Sequence, residues 1–184
     1  GKTTFMKALT KQVESNVDVS DDITISYKPQ YLEKTEELVR LWLGPKAKKH
    51  KNTVWKPLNI EPLLDKPLKS LSGGELQRVA IAKCLCADAD IYLLDEPSAY
   101  LDVEQRLRMS KIIRDMMELK GKACLVVDHD LLFIDYLAER LIVFEGVPAR
   151  QGIAQGPFGM QDGMNRFLQD LKITFRRDED SGRP

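Results

Sequence analysis

The sequence has no excess of charge of either sign: 28 Lys and Arg are matched by 28 Asp and Glu, for a formal net charge of +0. A global field that would draw the chain to nucleic acid or anionic lipid is therefore lacking, although local patches are untouched by that balance. Long apolar runs are missing too, and none approaches the roughly 18 residues that a membrane-spanning helix needs. Cysteine is scarce, and Cys84, Cys86 and Cys124 lack the spacing of a metal site. Cys84 and Cys86 lie two apart in a helical run and so face different ways. All three read as reduced, mostly buried thiols. The expected setting is the cytosol, with no signal peptide ahead of the first motif. There is no internal repeat and no low-complexity tract. What is present is a chain of 184 residues, long enough to bury a core as one domain.

Ile23 to Tyr27 is rich in β-branched residues and reads as a strand running into Lys28-Pro29-Gln30. Glu33 to Leu43 has helical spacing, with Leu38, Leu41 and Trp42 as its apolar stripe, and Gly44-Pro45 ends it. The basic run Lys46 to Lys51 reads as a solvated loop. Brief helical turns are expected from Trp55 to Pro67. Val103 to Leu119 is an amphipathic helix stopped by Gly121, and Ala123 to Val127 a buried strand of parallel type. A helix from Leu131 to Ala138 and a strand from Leu141 to Phe144 follow. Alternation of this kind predicts an α/β fold with a mostly parallel sheet covered on both faces. Ligands of such sheets gather at the carboxyl ends of the strands, where Gln30, Asp95, Glu96 and His129 all fall. Past Arg176 the chain turns polar and reads as a linker.

Three motifs carry chemistry. Gly1-Lys2-Thr3-Thr4 matches the end of a phosphate-binding loop, in which amides cradle phosphates, Lys reaches the β- and γ-phosphates and a hydroxyl meets Mg²⁺. Leu71-Ser72-Gly73-Gly74-Glu75 opens a helix. Ser72 and Glu75 form a capping box, but two glycines in the first turn exceed what a cap needs, and they leave amides bare for a phosphate. Ile91 to Leu94 is an apolar strand that delivers Asp95 and Glu96 to its end, Asp95 to hold Mg²⁺ and Glu96 to activate water. Pro97 is expected to keep Glu96 extended. His129, at the end of a neighbouring strand, is placed to sense a γ-phosphate, and Gln30 to touch metal and water. Ser98 to Asp102 lies just beyond the carboxylates, where it can join two sites across an interface.

Together these residues resemble the nucleotide-binding domain of ATP-binding-cassette proteins over nearly the whole chain. Gly1 to Thr4 matches the phosphate loop, Gln30 the Q-loop and Leu71 to Glu75 the signature. Leu93 to Glu96 matches the Walker B strand, Ser98 to Asp102 the D-loop and His129 the switch histidine. The resemblance implies a P-loop NTPase-type sheet plus a helical signature subdomain at roughly 31–88, within one cassette at 1–184 that is truncated at the amino end. It implies ATP and Mg²⁺, and a second cassette packed head to tail, whose nucleotide Ser72, Gly73 and Gly74 would help to hold, with Asp102 a further nucleotide-binding residue. Asp95-Glu96-Pro97-Ser98-Ala99-Tyr100-Leu101-Asp102, Val143 to Pro148, Ile173 to Asp178 and Trp55 to Ile60 narrow the likeness. They look like the second cassette of the twin-cassette ribosome-recycling factors, the RNase L inhibitor family. That implies a cytoplasmic ATPase acting on ribosomal subunits with a release factor, away from membranes and without sequence-specific nucleic-acid contact. Its iron–sulfur domain would lie outside this chain. The energising subunit of a membrane transporter uses the same motifs and is the alternative; a non-hydrolysing interaction module is a third. Asp128 stands where many cassettes carry an uncharged residue.

Overall fold

The computed structural model describes residues 2–12, 20–147 and 151–168. Gly1, Pro148 and the stretch from Ile173 onward, including the polar tail past Arg176, lie outside the described residues. The chain forms two compact units, one of residues 3–136 and one of residues 1–2 with 137–184.

The first unit is built on a parallel sheet of β1 (Ile25–Lys28), β2 (Ile91–Asp95) and β3 (Ala123–Val127), in that order. Lys28 pairs with Leu94 and Asp95 with Val127, so the three strands end at one edge. Side chains alternate across a sheet. The odd-numbered residues Ile25, Tyr27, Ile91, Leu93, Leu125 and Val127 meet Met6 and Leu9 of α1 (Lys2–Leu9). The opposite face carries Ser26, Lys28, Tyr92 and Leu94, against which α3 (Gly73–Cys86) packs. There the Ser26 hydroxyl donates to the Cys84 carbonyl at 3.0 Å. Helices thus cover both faces, as the alternation predicts.

α4 (Val103–Lys120) buries Met109, Ile112, Ile113 and Met116. Asp102 caps its start by accepting from the Gln105 N–H at 2.8 Å, and Gly121 ends it at φ +61, the left-handed position that glycine occupies without a Cβ clash. α5 (Leu131–Leu137) follows β3.

Two expectations fail in the segment between β1 and α3. The helix expected over Glu33 to Leu43 exists only as α2 (Val39–Leu43), because the preceding backbone bonds elsewhere. Leu68 and Lys69 donate to the Glu37 and Thr35 carbonyls at 2.9 Å each, and Val39 donates to Lys66 at 3.0 Å. These long-range pairs replace the first turns of the helix. The buried stripe is accordingly Val39 and Leu43, while Leu41 is 64% exposed and Trp42 lies under the Lys83 ammonium. The lysine run occupies a tight turn at Pro45–His50, with Lys46, Lys48 and Lys49 exposed as a solvated stretch should be.

In the second unit β4 (Arg140–Val147) pairs antiparallel with β5 (Gln151–Gly159), and α6 (Met160–Leu168) packs on both. The strand expected from Leu141 to Phe144 is therefore half of a hairpin rather than a member of the parallel sheet. Its Glu145 accepts from Arg166 at 2.5 Å and from Gln155 at 2.8 Å, tying strand, partner and helix together.

Candidate active site

The shared edge of the sheet gathers most of the candidate residues. β1 leads into Gln30, β2 ends in Asp95 and leads into Glu96, and β3 leads into Asp128 and His129. Asp95 is 0% exposed, yet neither carboxylate oxygen has a hydrogen-bond partner among the described residues. A buried carboxylate left so is costly, and native proteins almost always satisfy one. Burial pushes the Asp95 pKa up most, with Glu96 adding to the shift. The Thr3 hydroxyl, Lys28 and the Tyr27 hydroxyl act against it. Thr3, in the first turn of α1, thus lies beside Asp95, a hydroxyl next to a carboxylate with free lone pairs. Hard divalent cations take that donor set. The Tyr27 hydroxyl is also buried and makes no hydrogen bond of ordinary geometry, yet it lies close to Asp95: burial first, then the charge and proximity of Asp95, raise its pKa.

Glu96 departs from expectation. Pro97 predicts extended backbone, but Glu96 sits at φ +49, in the left-handed region. Three elements hold it there. Its N–H donates to the Val127 carbonyl at 2.7 Å, and its carbonyl accepts from Gln77 Nε2 at 2.6 Å and Lys28 Nζ at 3.4 Å. Lys28 also donates to the Asp95 carbonyl at 2.7 Å. That lysine is 1% exposed; burial pulls its pKa down to about 8, against the opposing pull of Asp95, Asp128 and Glu96. A buried cation therefore holds the main-chain carbonyls of both residues and lies near enough for their charges to oppose its loss of proton.

Asp128 organises the other side. Its Oδ2 accepts the Ser98 N–H at 3.0 Å, and its Oδ1 accepts the Ser98 hydroxyl at 2.7 Å, the His129 N–H at 2.7 Å and the Asp130 N–H at 3.0 Å. The carboxylate buckles the loop after β2 to the loop after β3, and leaves the His129 side chain 69% exposed at the edge. Asp130 pairs with Arg106 of α4 and caps α5 through the Phe133 N–H at 2.9 Å.

At the start of α3 the capping box is present: Ser72 Oγ accepts the Glu75 N–H at 3.2 Å, and Glu75 Oε2 accepts the Ser72 N–H at 2.8 Å. That N–H bond, more than the nearby Lys66, holds the Glu75 carboxyl below its usual range. The glycines have a reason of their own beyond phosphate. A Cβ on Gly73 would stand 3.0 Å from Tyr100 Cγ, and one on Gly74 would stand 3.0 Å from the Tyr100 carbonyl. The signature turn and the Ser98–Asp102 loop are packed so closely that a side chain on either glycine would have to push Tyr100 aside.

The structure therefore brings Thr3, Asp95, Glu96 and His129 toward one edge, with Gln30 half-buried two residues past β1. It places Ser72, Gly73 and Gly74 against the loop that leads to Asp102, whose observed contact is the cap of α4. Lys2 and Thr4 are exposed at the start of α1. Sequence reasoning missed Lys28, Gln77, Tyr100 and the work of Asp128. For Lys28 a signal existed: it falls on the inward side of the strand alternation, where a charged residue needs a partner.

The ABC transporter family model matches residues 1–99. An uncharacterised ABC transporter ATP-binding protein of Methanocaldococcus jannaschii is 50% identical over 192 residues, covering 100% of this chain and 32% of the relative. The Saccharomyces cerevisiae translation initiation factor RLI1 is 43% identical over 194 residues, covering 100% of this chain and 32% of the relative. Among solved structures, the archaeal ribosome recycling factor in complex with an archaeal ribosomal stalk protein superposes with a TM-score of 0.91 at 53% identity. That match covers 100% of this chain and 37% of the solved one. The chain thus spans about a third of the length of the curated relatives it matches. By its motifs, its fold and these matches, the chain belongs to the ATP-binding-cassette ATPases, among relatives of the RNase L inhibitor type.

Proposed function

We propose that this chain is an ATP-binding and hydrolysing cassette, the second of two in a cytosolic ribosome-recycling factor, and that it closes on its partner cassette with ATP to drive ribosomal subunits apart. The observation that carries the reading is the fully buried, unpartnered carboxylate of Asp95 beside Thr3, at the strand edge that also bears Glu96. The similarity to a ribosome recycling factor and a translation factor supports the cellular role.

Thr3 and Asp95 fit Mg²⁺ and would hold it, with Gln30 nearby; the ion would neutralise charge on the β- and γ-phosphates. Lys2 adds a further positive charge to the phosphates. Glu96 orients a water in line with the γ-phosphorus and takes its proton as the new P–O bond forms. The bond to the bridging oxygen breaks, and ADP leaves. His129 contacts the γ-phosphate and registers its loss. Ser72, Gly73 and Gly74 present backbone amides to the nucleotide of the opposite cassette, and Asp102 lies at the same interface.

The test uses the intact protein. Glu96→Gln removes the proton acceptor while keeping shape, so turnover at this site should fall about 10²–10⁴-fold. ATP binding should persist and closed particles should accumulate on ribosomal subunits. Undiminished single-turnover hydrolysis at this site would remove Glu96 from the role.

A further inference from the structure

Gln77 lies one turn along α3 from the Ser72–Gly74 turn and is 2% exposed. Its amide Nε2 reaches across to the Glu96 carbonyl at 2.6 Å, a contact between residues 19 apart in sequence. The other donor to that carbonyl, Lys28 Nζ, is 3.4 Å away and is shared with Asp95 O at 2.7 Å. Gln77 is thus the principal partner of the Glu96 carbonyl. A non-glycine residue at positive φ persists only where its surroundings over-determine it, and such residues cluster at working sites. At Glu96 the determinants are visible: Val127 fixes the N–H, and Gln77 and Lys28 fix the carbonyl. The main-chain conformation sets the direction of the Cα–Cβ bond, and so the aim of the carboxylate.

We infer that Gln77 is a positioning residue for Glu96. It locks the turn bearing the water-activating carboxylate to the helix whose first turn is Ser72-Gly73-Gly74, so the two move as one piece. Engagement of that first turn by the opposite cassette's nucleotide is then felt at this cassette's own carboxylate. The packing of Tyr100 on Gly73 gives the same helix a second hold on the same loop. The inference rests on the role of Glu96 proposed above.

The experiment compares Gln77→Met with the unaltered intact protein, each with and without Glu96→Gln. Met fills the space of Gln and donates nothing. Misplacement of a reacting group by about 1 Å costs on the order of 10²-fold. In Gln77→Met, kcat should therefore fall roughly 10- to 100-fold while KM for ATP stays within about twofold. In the Glu96→Gln background the same substitution should change the residual rate by less than about twofold, because the two residues act through one group. Gln77→Leu, close in volume and without any polar atom, is expected to repeat the pattern and serves if the Met variant does not fold. A kcat within about twofold of the unaltered protein, a loss confined to KM, or an equal loss in both backgrounds would overturn the inference. If Glu96→Gln abolishes turnover and Gln77→Met spares it, only this inference fails. If Glu96→Gln spares turnover, the reading of the site fails with it.

Discussion

At the scale of single residues, the telling feature is how unevenly the buried polar groups are satisfied. Asp128 has four donors and Asp95 none among the described residues, though both stand at strand ends of the same sheet edge, Asp95 as the last residue of β2 and Asp128 just past β3. The first is a brace; the second is the carboxylate proposed to bind the metal. Asp128→Asn leaves the Ser98 N–H or hydroxyl without an acceptor, which should cost about 1–3 kcal/mol and lower the melting temperature of the intact protein. An unchanged melting temperature would deny the brace. The thiols give a second test. Burial pushes Cys84 and Cys86 up to about 11, so neither carries appreciable thiolate near pH 8. Iodoacetamide should leave both unmodified in the native protein at pH 8 and label both once denaturant unfolds it, as read by peptide mass spectrometry. The sign for stability follows: between an unfolded value near 9 and a folded value near 11, the native chain keeps protons that the unfolded chain releases, so stability falls as pH rises through that window. The sequence marked Asp95 and Glu96 as candidates because they stand at the end of an apolar strand, and the structure puts both at the shared sheet edge. The sequence left Gln77 and Asp128 unread, since their roles depend on which loop lies 19 or 30 residues away in the chain.

At the scale of elements, local chemistry and long-range pairing divide the outcome. The ends of α3 and α4 were legible because caps are local: Ser72 with Glu75, and Gly121 in the left-handed position. α2 was overestimated because the backbone of residues 35–39 pairs with residues 66–69, and no periodicity reveals that competition. The turn of α3 offers an element-scale test. Gly73→Ala places a methyl 3.0 Å from Tyr100 Cγ. The overpacking should cost about 1–3 kcal/mol, more than the gain in helix propensity. Adding Tyr100→Ala should return most of that loss. Independent, additive effects on the unfolding midpoint would mean that the contact is not what excludes a side chain there.

At the scale of the molecule, the sheet edge, the α3 turn and the two loops after β2 and β3 form one connected structure through Gln77, Tyr100 and Asp128. The strand ends gather the candidate residues, and the cross-links tie the loops that bear them to α3. The parallel sheet and its covering helices were readable from alternating strand and helix patterns, whereas the antiparallel β4–β5 hairpin was not, because a strand does not declare its partner. The whole account rests on Asp95 and Thr3 holding the nucleotide's metal. The most direct measurement is anomalous scattering from crystals of the intact protein grown with Mn²⁺ and a non-hydrolysable ATP analogue. The account predicts a manganese peak in this cassette within about 2.0–2.3 Å of Thr3 Oγ1, with the Asp95 carboxylate bound directly or through one water. Bound nucleotide whose manganese lies away from both side chains would contradict it.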